Sequence, residues 1–288
     1  MMFDPLPIEI AFRHFVQTFS TESFDAFFLA ITFLGNPLIW IGISAFLFWK
    51  GDEKKSFFLT TTLLFAAAFV GLMKPALGRL RPLANEFRVL TNPTDSIYSM
   101  PSGHATIMTG IFGYYYEKFK KNAKILGIII VLLVLFSRIY LGVHFLGDVL
   151  IGGLFGFLIG RLIHIFEKNF PKIEKNTKKV LEEVGLISAT IIALFISFAF
   201  QPLALTIGLL GYFAGIFTFK LLKMDSTRLT GKKLWLKEAI GFAGLGLIYI
   251  LFDPNVDLVA MFTAGLWITL IYPLLFEKIN PKQKHLIS

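Results

Sequence analysis

The chain has 288 residues and a formal net charge of +9; 55% of it is hydrophobic, only 16% is charged, and it contains no cysteine. Soluble domains carry about 25% charged residues, so this composition excludes an ordinary soluble domain, and the missing cysteine excludes disulfides, thiolate nucleophiles and cysteine-held metals. The basic excess falls in short clusters between apolar runs, which is the pattern of membrane orientation and not of nucleic-acid binding.

Asp4 and Glu9 interrupt the first twenty residues, so no cleavable signal peptide is expected there. Residues 8–19, "IEIAFRHFVQTF", put Ile8, Phe12, Phe15 and Phe19 on one face and predict a short helix lying in the membrane interface. Nine apolar runs of spanning length follow, at about 24–49, 56–73, 103–119, 123–141, 146–166, 184–200, 202–222, 234–252 and 257–276. They predict an all-α integral membrane protein, a polytopic bundle of nine transmembrane helices.

Lysine and arginine counts orient the bundle. With the N-terminus outside, the inner connections 50–55, 117–124, 161–183, 220–238 and 277–288 hold 22 of the 28 basic residues. Only Arg13, Lys74, Arg79, Arg81, Arg88 and Arg138 remain outside. The N-terminus is therefore expected on the extracytoplasmic side and the C-terminus in the cytoplasm. Trp49 with Lys50, the Tyr114–Tyr116 run and Trp235 fall at cytoplasmic ends and read as interfacial anchors. Gly152, Gly156 and Gly160 recur every four residues and read as a face for close helix packing. Lys172, Lys175, Lys178 and Lys179 read as orienting charges, in contact with anionic lipid.

Against this background three outer segments stand out. Residues 74–82 read "KPALGRLRP", residues 101–104 read "PSGH", and residues 137–148 read "SRIYLGVHFLGD". The topology brings all three to one face of the membrane. Lys74, Arg81 and Arg138 supply the charge and the bidentate geometry that a phosphoryl group needs. Ser102 and the backbone N–H groups around Gly103, opening a helix, add an anion site. Two histidines divide the work of ester cleavage, one attacking phosphorus and one protonating the leaving oxygen. Asp148 follows His144 by four residues, so a helix through this stretch would put both on one face and let the carboxylate orient the imidazole. That spacing favours His144 as nucleophile and His104 as general acid. Because His144 lies at a loop boundary and not in a packed core, its replacement is expected to leave the fold intact.

The pattern K-x6-RP, PSGH, SR-x5-H-x3-D resembles the three-part signature of the type-2 phosphatidic acid phosphatase superfamily. It stands here as Lys74, Arg81 and Pro82; Pro101, Ser102, Gly103 and His104; and Ser137, Arg138, His144 and Asp148. The resemblance covers residues 56–166, and nine spans with an outer N-terminus are similar in layout to glucose-6-phosphatase. It implies a phosphohistidine on His144, an acid in His104, an orienting Asp148, and a phosphate cradle of Lys74, Arg81, Ser102, Gly103 and Arg138. It further implies that no metal ion or other cofactor is required, and that the partners are a lipid phosphate or diphosphate and the bilayer. Residues 1–170 then form the phosphatase core with five spans, and 171–288 a C-terminal extension of four spans. The expected setting is the cytoplasmic membrane with the site facing outward. A phosphotransferase would use the same site with another acceptor in place of water. A transporter or flippase is disfavoured, since the titratable cluster lies at the outer boundary and not at the midplane. Arg79 and Arg88, outside the signature, read as solvated charges or headgroup contacts, and His14, His164 and His285 as structural.

Overall fold

The computed structural model describes residues 4–83, 86–91, 96–169, 188, 191, 195, 204–224, 226, 229–252 and 257–279, and among these the protein is all-α. The helices are α1 (Pro7–Gln17), α2 (Glu22–Phe33), α3 (Pro37–Trp49), α4 (Glu53–Leu77), α5 (Gly103–Tyr115), α6 (Lys121–Tyr140), α7 (Leu146–Asn169), α8 (Ala204–Leu221), α9 (Gly231–Leu251), α10 (Leu258–Leu266) and α11 (Tyr272–Ile279). A π-helical turn, Trp267–Ile271, joins the last two. By length and composition five segments among the described residues are fit to cross a membrane: α4, α6, α7, α9 and the run Leu258–Phe276. The pair α2 and α3 makes a sixth if counted as one span. The protein is thus a multi-pass membrane protein. Of the other expected spans, α5 and α8 are shorter, and most of 184–200 lies outside the described residues, as do Lys172, Lys175, Lys178 and Lys179.

The run 24–49, expected as one span, is broken. Helices α2 and α3 meet at an angle of 45°. Pro37 disfavours helix in the residue before it and brings no N–H to the ladder, and Asn36 Oδ1 accepts from the Leu38 N–H at 2.9 Å, starting α3 afresh. Gly35 is required by packing, because a Cβ there would lie 2.9 Å from the Cβ of His104.

The described structure divides into two compact units, Met1–Trp40 with Thr61–Phe170, and Ile41–Thr60 with Pro171–Ser288. In the first, α5 and α7 lie in close contact along their length. A Cβ on Gly152, Gly156 or Gly160 would come within 2.7, 2.2 and 1.9 Å of the carbonyl oxygens of Ser102, Thr106 and Gly110. The glycine stripe therefore is the close-packing face that the spacing suggested. Helix α6 closes the other side through two apolar clusters. One joins Val16, Phe28, Ala105, Tyr140 and Val149; the other joins Met108, Phe112, Val131 and Val134.

The second unit buries a hydroxyl network. Ser44 Oγ lies 2.8 Å from Ser56 Oγ, which in turn lies 2.7 Å from the Tyr212 hydroxyl. Trp49 is fully buried and donates to the Ile268 carbonyl at 2.8 Å, so it is a core residue and not the interfacial anchor expected from sequence. Tyr114, in the first unit, is likewise buried, whereas Trp235 is exposed.

Candidate active site

Lys74 sits on the last turn of α4, one turn further along the helix than the apolar run alone implied. The helix stops at Gly78, whose positive φ of 62° and N–H bond to the Lys74 carbonyl form a left-handed cap. The chain then turns back on itself. Arg81 N–H bonds the Ile97 carbonyl, Ser99 N–H bonds the Arg79 carbonyl, and Leu80 pairs with Tyr98 in an isolated bridge. This places Arg81 beside the second motif.

Ser102 caps α5 by position only. Its hydroxyl makes no cap bond and, though fully buried, has no hydrogen-bond partner among the described residues. Its N–H bonds the Asp148 carbonyl at 3.0 Å, tying the start of α5 to the start of α7. The amides that follow, at Gly103 and His104, head a helix and are suited to an anion.

His144 precedes α7 and does not share a helical face with Asp148, as the spacing had suggested. The two meet because Asp148, in the first turn of α7, reaches back out of it. Its Oδ2 accepts from the Phe145 N–H at 2.8 Å and lies 3.3 Å from His144 Nδ1. On the other side of the ring, Arg81 Nη1 lies 3.3 Å from Nε2. Guanidinium only donates, so Nε2 is the acceptor and carries the lone pair, and the proton belongs on Nδ1 facing the carboxylate. Burial, together with the charges of Arg81, Arg138 and Lys74, pushes the His144 imidazole well below its ordinary range. The same three cations and His144 surround His104.

Arg138 is buried at the end of α6 and donates to Thr32 Oγ1 of α2 at 2.6 Å. All eight residues singled out by the motifs therefore meet in the first unit. His144 is only 2% exposed, which corrects its assignment to a loosely packed boundary.

A second layer went unread in the sequence. Arg79 is not a solvated charge: it is 3% exposed, with Nη2 2.6 Å from Glu9 Oε2 and Nη1 3.2 Å from Asp148 Oδ1. Glu9 Oε1 also accepts from the Gly147 N–H at 2.6 Å, at the head of α7. Arg13, fully buried, lies 3.9 Å over the Phe87 ring and donates to the Gly142 carbonyl. Burial lowers its guanidinium to about 10, leaving it a cation at neutral pH. Helix α1 is thus amphipathic in an inverted sense. Ile8, Phe15 and Phe19 are exposed, while Glu9 and Arg13 point inward. A charged pair four residues apart opposite an apolar stripe looks solvated from sequence, and only the tertiary structure reveals what covers it. Arg88 is exposed but paired with Asp25, which also accepts from the Tyr140 hydroxyl at 2.7 Å. Of the other histidines, His14 packs at a tilt against Phe87 and His164 pairs with Glu117, while His285 lies outside the described residues.

A buried histidine held between a carboxylate and a cluster of cations, on an all-helical membrane scaffold, narrows the class considerably, and comparison with known proteins identifies it. The model of the PAP2 superfamily matches residues 55–172. The undecaprenyl-diphosphatase of Sulfolobus acidocaldarius is 36% identical over 151 residues, 50% of this chain and 72% of that protein. The phosphatidylglycerophosphatase B of Bacillus subtilis is 32% identical over 114 residues, 36% of this chain and 54% of that protein. The crystal structure of a transmembrane PAP2 type phosphatidylglycerolphosphate phosphatase from Bacillus subtilis aligns with a TM-score of 0.49 at 26% identity, covering 58% of this chain and 87% of that one. The chain belongs to the PAP2 superfamily.

Proposed function

We propose that the protein is a membrane-embedded phosphatase that hydrolyses lipid phosphates or diphosphates at the extracytoplasmic face, through a phosphohistidine on His144. The observation that carries the reading is the disposition of His144, with Nδ1 toward Asp148 and the Nε2 lone pair toward Arg81. The relatives named above act on lipid phosphates, and the outer assignment rests on the distribution of basic residues.

In this reading Lys74, Arg81 and Arg138 bind the non-bridging oxygens, joined by the Ser102 hydroxyl and the Gly103 amide. A phosphate offers Arg81 a stronger, charged acceptor than the imidazole does, and its transfer to the substrate frees Nε2. Nε2 then attacks phosphorus while His104 protonates the leaving lipid oxygen. The imidazole becomes cationic as the P–N bond forms, and Asp148 stabilises that charge from Nδ1. Water next attacks the phosphoryl group, His104 taking its proton, and phosphate departs with His144 restored as the neutral base. The depressed pKa of His144 serves the first step, because a neutral ring keeps its lone pair available at and below neutral pH.

The test is inorganic phosphate release by the purified protein in detergent with EDTA present. The panel is undecaprenyl diphosphate, phosphatidylglycerophosphate, phosphatidate, sphingosine phosphate, lipid A and glucose 6-phosphate. Release from at least one lipid, lost in His144→Ala, is expected; release from none of them would contradict the proposal.

A further inference from the structure

We infer that Glu9 and Arg79 are positioning residues for this site, a two-residue relay through which the N-terminal helix α1 holds Asp148 ionised and aimed at His144. The inference rests on the phosphatase reading and extends it to two residues outside the three motifs.

The geometry is a chain of alternating charge. Glu9 Oε2 is 2.6 Å from Arg79 Nη2, Arg79 Nη1 is 3.2 Å from Asp148 Oδ1, and Asp148 Oδ2 is 3.3 Å from His144 Nδ1. Every member is buried, Asp148 fully so. A buried carboxylate needs a counter-charge to remain ionised, and Arg79 supplies one on the oxygen that faces away from the imidazole. Arg79 alone would do this badly, since its undivided charge would compete with the imidazolium that forms on His144. Glu9 shares that guanidinium and leaves Asp148 Oδ2 as the acceptor for Nδ1. Two further contacts hold the relay in place. Glu9 Oε1 takes the Gly147 N–H at 2.6 Å, one residue before Asp148, where a carboxylate also suits the helix dipole. Arg79 lies 5.0 Å over the face of Phe145, next to the nucleophile.

The groups bearing on His144 come from every neighbouring element: Lys74 on α4, Arg81 in the turn after it, His104 on α5, Arg138 on α6 and Asp148 on α7, with Arg79 reaching the ring through Asp148. Arg13 on α1 bears on Asp148 from the same side as Glu9. Glu9 and Arg79 differ from the phosphate-binding cations in that a second carboxylate holds Arg79 away from substrate. Their loss should therefore appear in turnover and not in binding.

The experiment compares Glu9→Gln, Arg79→Gln and the double variant with the wild-type protein on one lipid substrate, with His144→Ala as reference. For each single variant kcat should fall on the order of tenfold or more, with KM nearly unchanged. The acid limb of kcat/KM should shift in opposite directions, by about half a unit or more. Arg79→Gln removes the cation paired with Asp148, one carboxylate away from His144, and moves the limb to higher pH; Glu9→Gln removes an anion and moves it to lower pH. The double variant should fall between them. Competition by inorganic phosphate, unchanged across the series, reports an intact fold and cradle. Losses in kcat without opposed shifts, or equal activity in all variants, would overturn the relay while leaving the phosphatase reading in place. Activity retained in His144→Ala would overturn the phosphatase reading itself.

Discussion

At the scale of single residues the site is governed by burial. His144 and Asp148 carry polar chemistry in a position with almost no access to water, and each polar atom there is aimed by a named partner. The consequence for pH can be signed. The reactive form of His144 is the unprotonated one, and burial with three nearby cations lowers its pKa, so protonation sets in only below the ordinary value of about 6.5. The acid limb of kcat/KM that belongs to the free enzyme should therefore lie below that value. A limb centred above it, with a substrate whose own phosphate has already ionised, would count against His144 as the base. Replacing Asp148 by Asn should be severe, with kcat down on the order of 10⁴-fold, because the amide neither stabilises the imidazolium nor enforces the tautomer. A loss of tenfold or less would show that Asp148 serves mainly to start α7.

At the scale of elements, the tight seam between α5 and α7 sets the distance between Ser102 and His104 on one side and His144 and Asp148 on the other. Gly156 has no room for a side chain, since a Cβ would lie 2.2 Å from the Thr106 carbonyl oxygen. Gly156→Leu should cost about 1–3 kcal/mol or more by overpacking and should lower turnover together with thermal stability in detergent. Normal activity in that variant would mean that the seam does not position the catalytic pairs. The turn 140–143 makes a similar demand. Gly142 has φ +82°, and a Cβ would lie 2.1 Å from the Arg88 carbonyl oxygen, so Gly142→Ala should displace the segment that Arg13, Gln17 and Leu90 hold against it.

Much of this was legible in the sequence, for identifiable reasons. The three motifs hold residue types that make sense together only around a phosphoryl group, and the four-residue glycine spacing specifies a helix face whatever packs on it. The break at Gly35–Pro37 was hidden inside an apolar run long enough to pass for one span, although Asn36 and Pro37 were visible signals. The roles of Glu9, Arg13, Arg79 and Thr32 were not legible, because each depends on contacts between segments 70 to 138 residues apart in the chain. Trp49 was misread because an aromatic beside a lysine looks the same at an interface and in a core.

At the scale of the whole molecule, all the catalytic candidates fall in the first compact unit, together with α1. We propose nine spans with the N-terminus outside, the site on the outer face, and residues 171–288 as a four-span extension to the phosphatase core. The absence of native cysteine makes the topology directly testable. Cysteines introduced singly at Glu22, Lys54, Lys121 and Lys284 should divide cleanly under an impermeant thiol reagent in intact cells. Glu22→Cys, at an exposed position, should label at once, and the other three only after permeabilisation. Labelling of Lys284→Cys in intact cells would mean an even number of spans and would remove the basis for nine.

The most direct measurement is to trap the phosphoryl group. Purified protein is mixed with lipid substrate labelled in the transferred phosphate, quenched within a turnover, and the label is mapped by peptide. An acid-labile, base-stable label on the peptide containing His144, absent from His144→Ala, is the predicted result. Substrate turnover with the label on another residue, or turnover that survives in His144→Ala, would contradict it.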